Sequence, residues 1–178
     1  MIEIEIKFRV DNNRRADIVE RIGRLCPNGN SIRQMDKVYL IKSDSFKDFK
    51  SGDPVVRIRV VDDKSTLTYK RAIDGHGNTI EHEIAFTPIA EGENILCEMG
   101  YKMVTEVAKT RSVWKSGDVT ISLDDVDGLG AFLELEILGD SEQIKPARER
   151  ILTLAHELGL SESDIELKKY DQLVSAKQ

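Results

Sequence analysis

The chain has 178 residues, 40% of them hydrophobic, with 26 Lys and Arg against 32 Asp and Glu and a formal net charge of -6. That size suits one domain over residues 1–178 with one sizeable core, and an acidic balance repels nucleic acid and anionic membranes. Cys26 and Cys97 lie far apart with no CxxC or Cys/His cluster, which argues against a zinc site or a disulfide scaffold and for a reducing, cytoplasmic setting.

The opening MIEIEIKFRV places Ile2, Ile4, Ile6, Phe8 and Val10 between Glu3, Glu5, Lys7 and Arg9. This is the period-2 pattern of a strand with one apolar and one charged face, so it is expected to begin the fold and not to act as a signal peptide. No apolar run reaches membrane-spanning length. After Asn12 and Asn13 as candidate caps, Ile18, Val19, Ile22, Leu25 and Cys26 recur at helical spacing, and Pro27-Asn28-Gly29-Asn30 ends that helix.

Seven further strands are predicted over 32–41, 55–62, 64–72, 79–86, 102–115, 118–125 and 131–138. Several connections are short and turn-like, at Asp62-Asp63-Lys64, at 74–78 and at Ser116-Gly117-Asp118, which suits antiparallel hairpins and not right-handed crossovers. Thr87-Pro88 opens a second helix ending near Glu98, with Gly100 after it. Ile144, Ala147, Ile151, Leu154, Ala155 and Leu158 mark a third, capped by Ser141 and closed by Gly159, and a short helix and tail follow from Ser161. The expectation is one α+β unit.

The second face of each strand is the informative one. It carries Glu3, Glu5 and Lys7 on the first strand, Arg57 and Arg59 on the third, Thr68 and Lys70 on the fourth, and Glu81 and Glu83 on the fifth. The sixth carries Lys109 and Arg111, the seventh Ser122 and Asp124, and the eighth Glu134 and Glu136. Each i, i+2 pair projects from one side of its strand. An open sheet with a solvated face would look the same strand by strand. Eight strands with helices to cover them can instead close, turning the charged face into a lumen.

Such a lumen needs a ligand, because close charges removed from water are costly unless each is partnered. A polyphosphate with bound Mg²⁺ or Mn²⁺ meets the need: Arg and Lys neutralise phosphate oxygens, and carboxylates ligate the hard cation. The acids concentrate on the first, fifth, seventh and eighth strands, and most of the bases on the third, fourth and sixth.

These residues also resemble a known family. Glu3-Ile4-Glu5-Ile6-Lys7 is similar to the ExExK signature that opens CYTH domains, the superfamily of class IV adenylyl cyclases, thiamine triphosphatases and inorganic triphosphatases. Val55-Val56-Arg57-Ile58-Arg59 resembles its LRxR strand, Leu67-Thr68-Tyr69-Lys70 its LTxK strand, Glu81-His82-Glu83 its ExE strand and Lys109-Thr110-Arg111 its KxR strand. The segment from Leu123 to Glu136, with Asp124, Gly128, Gly130, Phe132 and Glu134, resembles LDxVxGLGxFxExE, and Tyr170-Asp171-Gln172-Leu173 the closing tyrosine motif. The detailed pattern is closest to the class IV adenylyl cyclase-like, CyaB-type subgroup. The chain departs from the family at Lys37 and Ile41, which fill places flanking Tyr39 where acids are usual unless Asp36 reflects a register shift, and at Ile80, where a base often precedes ExE. The roles of Tyr39, Glu81 and Glu83 are therefore left open.

The resemblance implies a triphosphate tunnel, a closed or nearly closed eight-stranded antiparallel barrel with helices outside. It implies that Lys7, Arg57, Lys70, Lys109 and Arg111 grip the phosphates and take part in catalysis, with Arg59 as a further substrate-binding residue and Glu83 a secondary candidate. Glu3, Glu5, Asp124, Glu134 and Glu136 would hold one or two Mg²⁺ or Mn²⁺ ions. The expected substrate is a small-molecule triphosphate, with no nucleic acid or membrane partner and an oligomeric state left open, homodimer included. Cyclisation of ATP to cyclic AMP and pyrophosphate is the leading activity; an organic or inorganic triphosphatase is the alternative, and a non-catalytic polyphosphate or nucleotide sensor a third. His76 and His82 receive no role. Gly128-Leu129-Gly130 joins two strands and lacks the following helix of a phosphate loop, and Trp114 and Phe132 are expected in the core.

Overall fold

The computed structural model describes residues 2–41, 43–50, 52–73 and 78–177; His76 and the other residues of 74–77 lie outside them. Eight strands, β1 (Ile2–Val10), β2 (Asn30–Ile41), β3 (Pro54–Val61), β4 (Lys64–Ala72), β5 (Thr79–Phe86), β6 (Tyr101–Ser116), β7 (Val119–Val126) and β8 (Gly130–Gly139), form a closed barrel in the order β1-β5-β4-β3-β2-β6-β7-β8. Every neighbouring pair is antiparallel. Outside lie α1 (Asn12–Leu25), α2 (Ile89–Glu98), α3 (Ile144–Glu157) and α4 (Tyr170–Ser175).

Alternation along the strands puts the main hydrophobic core outside the barrel. Ile4, Ile6, Phe8 and Val10 of β1, with Leu133 and Leu135 of β8, meet Ile18 and Ile22 of α1 and Ile151, Leu154 and Ala155 of α3. Phe8, Ile22, Ile151 and Leu135 are fully buried, each burial stabilising the fold by about 1.5–3 kcal/mol. Trp114 packs against this cluster. Asp11, not Asn12 or Asn13, occupies the N-cap of α1, and Gln143, not Ser141, that of α3. In both, the cap is supplied by backbone geometry with no side-chain hydrogen bond.

A bulge between Val38 and Tyr39, where β2 slips against β6, lies beside the family departure. Tyr39 packs with Val56, Ile58 and Leu96 beneath α2, and its hydroxyl donates to Glu93 at 3.4 Å, beside a Lys37–Glu93 pair at 2.5 Å. Tyr39 thus belongs to the outer layer, and Asp36 is the acid that β2 turns inward.

The seam is the thinnest part of the wall. Among the described residues β1 and β5 pair through Ile2 with Ile80 and Glu3 with Thr79, whereas β1 and β8 pair along all of β1. Beyond that step the edge of β1 is covered by the chain before α4: Phe8 bridges Ile165, and the Glu166 N–H donates to the Lys7 carbonyl at 2.8 Å.

Candidate active site

The inward faces enclose a cavity of about 500 Å³, within the range of about 300–1,000 Å³ that suits a small molecule. All eleven predicted site residues except Asp124 line it, and Asp124 sits directly behind, fully buried. Strand order divides the lining. The acid-bearing strands β7, β8, β1 and β5 are contiguous around the barrel; the base-bearing strands β4, β3 and β6 occupy the remaining arc together with β2, which turns Asp36 inward among them. An acidic wall therefore faces a basic one, with Lys7 the base on the acidic side.

Much of the basic wall is held by carboxylates. Arg111 donates to Asp124 through Nε at 2.7 Å and Nη2 at 2.5 Å, and also to Glu134. The Lys109 ammonium reaches Asp124 at 3.0 Å. Arg57 Nη2 donates to Thr68 at 3.1 Å, Glu81 at 3.3 Å and Glu83 at 3.4 Å. Lys70 binds Glu3, and Glu81 at 3.1 Å. Arg59 is clamped by Asp36 through two bonds of 2.7 and 2.8 Å. That fork holds Arg59 in place against a single buried carboxylate. Lys7 is the exception: its ammonium lies 4.5 Å over the Tyr170 ring, and among the described residues it forms no ion pair.

Glu5 and Glu136 stand directly opposite each other on β1 and β8, an arrangement of like charges that destabilises a sheet unless neutralised. Burial, then the Glu134 charge, pushes Glu5 up to about 7. Burial, then Glu3 and Glu5, pushes Glu136 up to about 7, and Glu81 is raised by burial as well. Against the cost of burial, the Lys70 charge and hydrogen bonds hold Glu3 at about 2. Burial likewise raises Asp36, but the Arg59 hydrogen bonds and the Arg57 charge outweigh it and hold Asp36 at about 2. Glu134, despite burial, is held well below the carboxylate range by Arg111, Lys109 and Lys7.

The predicted cation ligands thus separate. Glu3, Glu5 and Glu136 gather on β1 and the adjoining part of β8, joined by Glu81. Asp124 is consumed by Lys109 and Arg111, and Glu134 stands between the two groups. Among the described residues no three His, Cys, Asp or Glu side chains form a preformed cation cage. The donor set nevertheless fits a hard divalent ion: it is all carboxylate oxygen, and protons on Glu5 and Glu136 occupy the positive-charge role a cation would take.

Several lining residues were not singled out as site residues from the sequence: Asp36, Arg148, Lys169, Tyr170 and Asp171. Of these Asp36, Tyr170 and Asp171 carried a signal, the first beside the Tyr39 departure and the other two in the closing motif. His82 points outward beside Tyr69, with ring centroids 6.3 Å apart.

A closed antiparallel barrel with acidic and basic walls defines the triphosphate-tunnel class of fold. A family model described as CYTH domain matches residues 1–170, and the chain belongs to the CYTH family. It is 31% identical over 176 residues to a protein of Methanocaldococcus jannaschii provisionally named adenylate cyclase, covering 97% of this chain and 98% of that one. It is 32% identical over 91 residues to adenylate cyclase CyaB of Aeromonas hydrophila, covering 51% of this chain and 48% of that one. The solved structure of the PH1819 protein of Pyrococcus horikoshii OT3 superposes with a TM-score of 0.83 at 27% identity, over 99% of both chains.

Proposed function

We propose that this chain is a divalent-cation-dependent enzyme acting on a triphosphate bound in the tunnel, and that its reaction is cyclisation of ATP to cyclic AMP and pyrophosphate. The observation that carries the reading is the division of the closed barrel into facing acidic and basic walls. Lys7, Arg57, Lys70, Lys109 and Arg111 bind phosphate oxygens, and Arg59, fixed by Asp36, adds positive field. Asp124 orients Lys109 and Arg111. Glu3, Glu5 and Glu136, with Glu134 adjacent, would hold Mg²⁺ or Mn²⁺, which would supply Lewis-acid stabilisation of the phosphate charge and activation of the attacking oxygen.

Substrate has to exchange the carboxylates now on Arg57, Lys70 and Arg111 for phosphate oxygens, so the site is preorganised in position and swaps one set of anions for another. In the cyclase reaction the ribose 3′ oxygen forms a bond to the α-phosphorus. The bond from that phosphorus to the bridging oxygen breaks, and pyrophosphate leaves with the electron pair. The adenylate cyclase names of the relatives support this choice. The charged lining supports a second reading, a triphosphatase in which water attacks the terminal phosphorus, because those groups recognise the triphosphate and not what it is attached to.

The test is to incubate the purified protein with ATP, thiamine triphosphate and tripolyphosphate, each with Mg²⁺ or Mn²⁺, and to separate the products. Cyclic AMP with pyrophosphate supports the cyclase, and orthophosphate the triphosphatase. Binding without turnover indicates a sensor, and neither binding nor turnover overturns the tunnel reading.

A further inference from the structure

The closing tyrosine has a hydroxyl that the fold does not use. α4 lays Tyr170 against the barrel: its ring packs edge-on to Phe132, with centroids 5.1 Å apart, in a cluster with Val107, Val126 and Leu173. The Lys7 and Lys109 ammonium groups lie 4.5 and 4.8 Å from the ring centre. Tyr170 is 8% exposed, yet among the described residues its Oη has no hydrogen-bond partner. A buried hydroxyl left unpaired destabilises a fold relative to its absence, so the free protein gains nothing from this oxygen that phenylalanine would not also give. Burial, then Glu134 and Asp124, raises the phenol well above its ordinary value, so the group stays protonated and is a donor without an acceptor.

The missing acceptor has a definite chemistry. Beside two ammonium groups and facing the cavity, it is an anionic oxygen. We infer that Tyr170 is a substrate-binding residue whose hydroxyl donates a hydrogen bond to a phosphoryl oxygen of the bound triphosphate, at the position that Lys7 and Lys109 also address. This rests on the tunnel reading above and adds to it a ligand from outside the barrel strands. Because α4 carries that ligand, phosphate binding and docking of the C-terminal helix reinforce each other.

The experiment compares wild type with Tyr170→Phe, using inorganic tripolyphosphate as probe in calorimetric titrations and in melting curves with and without it. The expected result is that Tyr170→Phe melts at or above the wild-type temperature when free, but binds tripolyphosphate about tenfold or more weakly, as loss of a hydrogen bond to a charged group implies. Its ligand-induced rise in melting temperature shrinks accordingly. Equal affinity for tripolyphosphate in the two proteins overturns the inference while leaving the tunnel reading intact. A marked fall in the melting temperature of the free variant also overturns it, since the hydroxyl would then be structural. Wild type that does not bind tripolyphosphate overturns both.

Discussion

Glu5 and Glu136 face each other across one rung of the β1–β8 ladder, and their protonation makes the metal-free protein sensitive to neutral pH. Both stand at about 7 in the folded chain against 4.5 for an ordinary glutamate. Between those values the folded state binds more protons than the unfolded one, so stability is lost as pH rises through the window. Glu3 and Asp36, held at about 2, act in the opposite sense and cost stability as pH falls below about 4. Chelator-treated protein should melt at progressively lower temperature from about pH 5 to 7.5, and saturating Mn²⁺ should flatten that slope by replacing the protons. A slope unaffected by Mn²⁺ would remove these two glutamates from the cation site. Glu134, between the acidic cluster and Arg111, can be tested separately. Glu134→Gln should lower turnover by about 100-fold or more while circular dichroism shows the barrel retained, and unchanged turnover would exclude it from the site. The alternating pattern alone placed thirteen charged residues on inward faces, since the two-residue period decides which side a side chain takes. It could not show that Asp36 clamps Arg59, because that contact depends on the β2–β3 register, which sets the two side by side.

At the scale of elements, the strands were legible because both of their faces are strongly marked, apolar under the helices and charged in the lumen. Helix α4 was not. Six residues ending in a polar tail give little periodicity, and its anchoring comes from Phe132 on β8 and Val107 on β6, far away in sequence. Phe132 is fully buried and joins the barrel lining to α4. Phe132→Ala should cost about 3–5 kcal/mol, a fall in melting temperature of roughly 6–20 °C for a chain of this size. Scanning calorimetry would measure it, and a fall of only a degree or two would mean that α4 is not held by this contact.

Over the whole molecule, strand order does what no single strand can. The residues that carry acids are scattered between positions 3 and 136, and only the order β7-β8-β1-β5 collects them on one wall. That order is a property of the closed sheet, which is why two walls were not visible from the strands taken singly. The same arrangement gives a chain of net charge -6 a locally cationic surface, so anion capture is confined to the lumen. Tripolyphosphate at about 100 times its dissociation constant should stabilise the protein by about 2.7 kcal/mol, raising the melting temperature by roughly 5–11 °C. Inorganic orthophosphate at equal concentration should do much less. Equal stabilisation by both anions would argue that the walls recognise charge and not a chain of three phosphates.

The short ladder between β1 and β5, two rungs among the described residues, gives the barrel a preferred place to come apart. A closed sheet with one short ladder behaves like a clasped bracelet, rigid around its circumference and free at the clasp. Amide deuterium uptake should be fastest on the Ile2–Ile80 and Glu3–Thr79 rungs and slowest along the long β2–β6 ladder. Glu3 lies on the clasp itself and binds Lys70 of β4 across it, so a cation or a triphosphate that engages either side chain acts directly on the fastening. Occupancy of the tunnel should then be readable at the clasp as slowed exchange of backbone amides that the ligand does not touch.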